Sequence, residues 1–270
     1  MNQTIQEKTM SGAQEITFQI EGDIALIGID RPSKRNAMRQ DMFEQVGEFV
    51  DQAQKVAKVG IIFGHGGHFS AGLDLGEHKE RSPIDTLHAS RAQGAIMNKM
   101  EQGNIPWIAA LSGATIGAGL ELAASTHIRI ADETTFFALP EGRRGIYVGG
   151  GASVRVARLI SAARMMDMML TSRVMNAAEA VAANAVQYIV PEGNSLAKAR
   201  EIAGLISENS SVSNYAIINT LARIQDMSHD DGLFVESIMA ALVQSSPEAQ
   251  SGLADFLEKR ARRLDTPPSR

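Results

Sequence analysis

Two acidic residues stand where protons could be moved. Glu121 lies one turn into a helix opened by the Gly-rich segment Ile116 to Leu120, and Glu141 follows Pro140. Two carboxylates whose surroundings separate their pKa values can divide the work, one taking a proton from water and the other giving one to carbon. Taken singly, Glu121 reads more simply as a partner of its helix dipole and Glu141 as a loop acid. Such chemistry beside a carbonyl also needs donors for the oxygen as it becomes an enolate. The stretch His65 to Asp74 follows a buried strand and is rich in Gly, Ser and Ala, so its backbone can approach a ligand closely. Ile116 to Glu121 also follows a strand and opens a helix, where unpaired N–H groups favour negative charge. One amide from each segment would form an oxyanion hole if the two loops meet.

Other motifs fail on spacing. His65 and His68 have no third ligand at a familiar interval, so they read as solvated loop histidines and no metal is expected. Ser70 has His68 two positions before it where a nucleophile elbow has Gly. Gly117 and Gly119 are followed by Leu122 where a dinucleotide fingerprint has its third Gly. Met165, Met166, Met168 and Met169 sit at a spacing that reads as helix core, with an acyl-pocket lining as the alternative.

The elements that must position these residues follow from periodicity. Ile16, Phe18 and Ile20, then Ala25, Ile27 and Ile29 after Gly22-Asp23, alternate as a hairpin with one buried face. Helical spacing over 40–58 leads into a short buried strand at 59–63. The order repeats with a helix over 85–100, a strand over 108–111, a helix start over 117–125 and a strand over 127–131. This predicts an α/β architecture built of right-handed crossovers. From Ser153 onward the chain shows little strand character. Helices are expected over 153–159, 161–171, 177–184, 195–208, 212–226, 231–244 and 247–262. The division expected is a β/α catalytic core over 1–195 and a helical C-terminal region over 196–270 concerned with oligomerisation.

Composition removes several function classes. The chain has 270 residues, 44% of them apolar and 21% charged, an ordinary globular balance. A net charge of −5 and a pI near 5.7 argue against a nucleic-acid partner, which needs a basic face. With no cysteine, disulfides and thiolate metal sites are excluded and a reducing compartment is allowed. The polar start, Met1 to Ala13, lacks the pattern of a secretory signal and reads as a cytoplasmic leader. The uncharged run Gln102 to Leu120 carries Pro106, Gly113, Gly117 and Gly119, and its apolar block is too short to span a bilayer. It reads as strand, turn and helix start, with no membrane association.

Taken in order, Arg31-Pro32, Asn36-Ala37-Met38, the loop Phe69 to Asp74, Gly117 to Glu121, Pro140-Glu141 and Phe256 to Arg260 resemble the enoyl-CoA hydratase/isomerase (crotonase) family. The match runs from about Ile16 to Arg260. It implies a crotonase-type β-β-α spiral core with a C-terminal helical region. It further implies an oxyanion hole made by the amides of Leu73 and Ala118, with Glu121 and Glu141 as the acid–base pair. Gly149 is implied to seat the attacking water through its amide. Coenzyme A, entering as part of an acyl-CoA substrate and not as a resident cofactor, is implied to lie across Lys34, Ala37, Ala71, Asp74 and Leu75. Phe256 and Lys259 are implied to reach a neighbouring subunit's ligand, in a homotrimer or a homohexamer. For Lys259 a solvated helical charge is an equal reading. Two positions depart from the family pattern: Ala118 stands where Gly is common, harmless to an amide donor, and Gly76 where many relatives place a phosphate-contacting Lys. The overall likeness points to methylthioacryloyl-CoA as substrate, with methanethiol release and thioester hydrolysis. The alternatives are a general short-chain enoyl-CoA hydratase and a non-catalytic or RNA-binding relative.

Overall fold

The computed structural model describes residues 15–77 and 82–258. The leader Met1 to Ala13 and the chain after Glu258 lie outside that set. The expected hairpin is present as β1 (Ile16–Glu21) and β2 (Ile24–Ile29), paired antiparallel from Ile16↔Ile29 to Glu21↔Ile24. Helix α1 (Gln40–Val56) buries Met42, Phe43, Val46, Val50 and Ala53, one apolar stripe at helical spacing. It leads into β3 (Val59–Gly64), and α2 (Pro83–Glu101) follows, its first turn capped by the Ser82 hydroxyl accepting from Asp85 N–H.

A strand pair then repeats. β4 (Trp107–Leu111) is followed at once by β5 (Ala114–Ile116) and the short α3 (Ala118–Ala124). β6 (Ile128–Asp132) is followed by β7 (Phe136–Ala138). The first strand of each pair joins a six-stranded sheet of order β1-β2-β3-β4-β6-β9, parallel from β2 onward. The second joins a three-stranded sheet of order β5-β7-β8. A parallel bridge from Ser70 to Thr115 continues the second wall into the loop after β3. The chain therefore winds as a spiral, placing one strand in each wall per turn.

The C-terminal half carries α4 (Ala152–Ile160), α5 (Ala162–Thr171), β8 (Met175–Asn176), α6 (Ala177–Ala182) and β9 (Tyr188–Val190). Helices α7 (Ser195–Ser207), α8 (Ser211–Ile224), α9 (His229–Gln244) and α10 (Pro247–Leu257) complete it. Four short strands, β5, β7, β8 and β9, were not expected. Two or three residues show no alternation, and their pairing is supplied by neighbours far along the chain.

Alternation across the large sheet explains its two cores. Ile62, Trp107, Ala109, Leu111 and Ala131 face the main core with α1, α2 and α3. Val59, Ile61, Ile108, Ala110 and Ile130 face the other way, onto Ala199, Ile202 and Ala203 of α7. With both faces covered, the parallel strands read as continuous apolar runs. Thus α7, though it opens the 196–270 segment, is part of the sheet's own packing. Met165 and Met168 lie in the main core, while Met166 faces outward. No helix among the described residues is long and apolar enough to cross a membrane.

Candidate active site

The two carboxylates are brought together by strand register. β5 and β7 are parallel partners that end side by side at Ile116↔Ala138, and Gly117 N–H donates to Ala138 O at 3.0 Å. Glu121 follows one helical turn beyond Gly117, and Glu141 three residues beyond Ala138. Gly117 has φ 52° and ψ −121°, a conformation open only to glycine, and a Cβ there would stand 2.8 Å from Glu141 Oε1. The Glu141 carboxylate thus lies directly over the entry to α3.

Both acids are buried, Glu121 with 3% and Glu141 with 6% exposure. Glu121 Oε1 accepts from the N–H of Gly150 at 2.8 Å and of Ala152 at 3.1 Å, so it caps the start of α4. Burial pushes its pKa above the ordinary carboxylate value, partly opposed by those amides and by Arg155. The Glu141 pKa is also pushed up, first by burial and then by the charge of Glu121, with Arg144 opposing. Glu141 Oε2 is buried with no partner among the described residues. Two raised carboxyl groups, one of them raised further by the charge of the other, form a pair able to hold one proton between two tasks.

The amides expected for the oxyanion also come together. The loop after β3 is laced to β5 by Phe69 N–H to Ser112 O at 2.7 Å, Ser70 N–H to Ala114 O at 2.9 Å and Ile116 N–H to Ser70 O at 3.0 Å. A Cβ on Gly72 would sit 2.7 Å from Ile116 O and 3.3 Å from Ala118 N, so Leu73 and Ala118 are held on adjoining backbones. Neither the Leu73 nor the Ala118 N–H has a partner among the described residues, and Ala118 is the first residue of its helix. Gly149 adjoins the amides that hold Glu121, and its carbonyl accepts from the Ser90 hydroxyl at 2.6 Å.

The two loops expected to carry coenzyme A are joined as well. Ala71 N–H donates to Arg35 O at 2.9 Å, Met38 N–H to Gly72 O at 2.8 Å and Asp74 N–H to Met38 O at 2.9 Å. Lys34 ends an exposed 3-10 turn, with Ala37 beside it, and Leu75 begins another 3-10 turn on the opposite loop. Asp74 pairs with Arg31 at 2.6 Å and accepts from Gly76 N–H at 3.0 Å. The Arg31 guanidinium holds that carboxyl below its usual range. Asp74 therefore acts as a strut between the loops. The side chain of Phe256 and all of Lys259 lie outside the described residues.

The supporting roles of several residues were not read from sequence, although Asn36 stood in one of the family motifs. Asn36, fully buried at φ 56°, accepts from Arg31 N–H and donates to the carbonyls of His65 and His68, fixing three turns. Arg155 is buried on α4, pairs with Glu101 at 2.7 Å, bonds Asn98 and donates to Gly150 O at 2.9 Å. An arginine on the stripe Ala152, Arg155, Val156, Ile160 was a legible signal, since apolar faces rarely carry a charge without a partner. His68 Nδ1 accepts from Ala114 N–H at 3.0 Å, a structural use. A cavity of about 570 Å³ near His65, Asp132 and Glu192 touches neither carboxylate.

The chain as a whole is similar to known proteins. The enoyl-CoA hydratase/isomerase family model matches residues 19–265, and the chain belongs to that family. It is 29% identical over 259 residues to enoyl-CoA hydratase EchA19 of Mycobacterium tuberculosis, covering 94% of this chain and 97% of that one. It is 28% identical to 2,3-dehydroadipyl-CoA hydratase of Escherichia coli, covering 91% and 96%. A crystal structure from Rhodopseudomonas palustris superposes with TM-score 0.89 at 39% identity, over 94% of this chain and 98% of that one. The enoyl-CoA hydratase of Bacillus anthracis superposes with TM-score 0.86 at 28% identity, over 92% and 97%. The chain has the crotonase fold.

Proposed function

We propose that Glu121 and Glu141 add water across the 2,3 double bond of a short 2-enoyl-CoA, with methylthioacryloyl-CoA as the substrate. The observation that carries the mechanism is the pair itself: two buried carboxyl groups, both raised in pKa, beside two unpaired amides. Glu121, oriented by Gly150 and Ala152, takes a proton from water as its oxygen bonds the β-carbon. Electrons pass to the thioester oxygen, which the Leu73 and Ala118 amides hold as an enolate. Glu141 returns a proton to the α-carbon. Gly149 helps seat the water, and the loops of Lys34, Ala37, Ala71 and Leu75 carry coenzyme A. No resident cofactor or metal is needed.

With a β-methylthio group the hydrated product is a hemithioacetal. It expels methanethiol and leaves an aldehyde thioester, whose hydrolysis frees coenzyme A and whose acid then loses carbon dioxide to give acetaldehyde. That acyl group is favoured by overall sequence likeness, and a general short-chain hydratase is the second reading. The test is to incubate the protein with crotonyl-CoA and methylthioacryloyl-CoA while following enoyl absorbance and free thiol. Loss of enoyl absorbance in both, with methanethiol and coenzyme A released from the second, supports the reading. Crotonyl hydration without thiol release overturns the narrower substrate, and no turnover of any enoyl thioester overturns the whole.

The subunits are proposed to assemble as homotrimers or homohexamers. The support is apolar surface on the last helices, where Leu221, Leu233, Phe234, Ile238 and Leu242 are all at least half exposed. Sedimentation should give three or six times the 29.0 kDa chain mass, and a monomer at micromolar concentration would contradict it.

A further inference from the structure

One buried polar side chain beside the site has no task so far. Gln93, in the middle of α2, is 6% exposed, and its Nε2 is buried with no partner among the described residues. Its helix face is fixed by two neighbours. Ser90, three residues before it, donates to Gly149 O at 2.6 Å. Met97, four residues after it, has its methyl 3.1 Å from where a Cβ on Gly150 would be. Residues three and four apart share a helix face, and side chains lean toward the helix N-terminus. Gln93 therefore shares the helix face that Ser90 and Met97 turn toward the Gly149–Gly150 turn, where the Gly150 N–H orients Glu121.

An unpaired amide in such a place is costly. Leucine has the same helix propensity and would fill the space with no polar group to satisfy. Resting on the hydratase reading above, in which Glu121 delivers water to the β-carbon, we infer that Gln93 is a specificity residue whose amide donates a hydrogen bond to a heteroatom in the substituent beyond that carbon. An alkyl substituent leaves the donor unpaired. An ether oxygen satisfies it, and a thioether sulfur, a weaker acceptor, satisfies it in part. The substrate class is then a short 2-enoyl thioester with oxygen or sulfur attached at the β-carbon.

The test uses three thioesters of equal length: pent-2-enoyl-CoA, methylthioacryloyl-CoA and 3-methoxyacryloyl-CoA. Their intrinsic reactivities differ, so each kcat/KM is compared between the wild type and Gln93→Leu. The substitution should lower the methoxy-to-pentenoyl ratio roughly fivefold to tenfold, the effect of one hydrogen bond, and the methylthio-to-pentenoyl ratio by less. Gln93→Met, close in size and flexible, should shift the ratios the same way and guards against misfolding of the leucine variant. Ratios unchanged within twofold, or equal losses on all three substrates, overturn the inference while pentenoyl turnover by the wild type keeps the hydratase reading. No turnover of any of them by the wild type removes both.

Discussion

Glu121 is stabilised and penalised by the same surroundings. Burial raises its pKa, so the folded state holds the proton more tightly than the unfolded chain does, and stability falls as pH rises above the ordinary value of 4.5. Glu121→Gln removes the charge while keeping the shape. At pH 7 it should raise Tm by about 2 °C, as stabilising changes of about 1 kcal/mol do in chains of this size. The gain should shrink as pH falls toward 4.5, where the wild-type carboxyl is itself protonated. Scanning calorimetry across that range checks the sign, and an equal gain at both ends would show that the charge is not the cause. Glu121 and Glu141 were legible as candidates because their Gly-rich and Pro contexts stand out. Gln93 was not, and neither were the roles of Asn36 and Arg155, because what matters about each is a partner, or a missing one, across the fold.

The short elements set the site's geometry. Gly117 links β5 to α3 in a conformation with positive φ, and its Cα faces Glu141. Gly117→Ala should cost about 1–3 kcal/mol in backbone strain and displace Glu141, lowering kcat more than it raises KM. Steady-state kinetics beside a urea titration separates the two effects. Arg155 secures Gly150 from α4 and balances Glu101. Arg155→Met leaves that acid without its partner and should destabilise the protein by about 3 kcal/mol. It should also move the acid limb of the kcat/KM profile upward, since Arg155 lowers the Glu121 pKa. An unchanged limb would make Arg155 purely structural. The longer elements were legible because ten or more residues at one period leave a clear signal. β5 and β7 left none, yet their register places both acids.

Across the whole molecule, the spiral separates scaffold from site. The large sheet is packed on both faces, and Gly60 shows how tightly, for a Cβ there would meet the Trp107 ring at 2.4 Å. Gly60→Ala should destabilise by about 2 kcal/mol with kcat kept near wild type in the folded fraction, as chemical denaturation and active-site titration would show. The motifs at 69–74, 117–121 and 140–141 follow strands β3, β5 and β7, which is why family membership was readable from scattered short segments. The acyl group was not readable in that way. It depends on a few side chains such as Gln93 whose placement only the folded chain defines.

The central claim is that two coupled carboxylates perform the hydration. It is tested most directly by the kcat of Glu121→Gln and Glu141→Gln on crotonyl-CoA, with folding checked by circular dichroism. Each variant should lose about 10²–10⁴-fold, the usual worth of a positioned acid or base, and the double variant should lose less than the product of the two. Near wild-type turnover by either single variant would contradict the account.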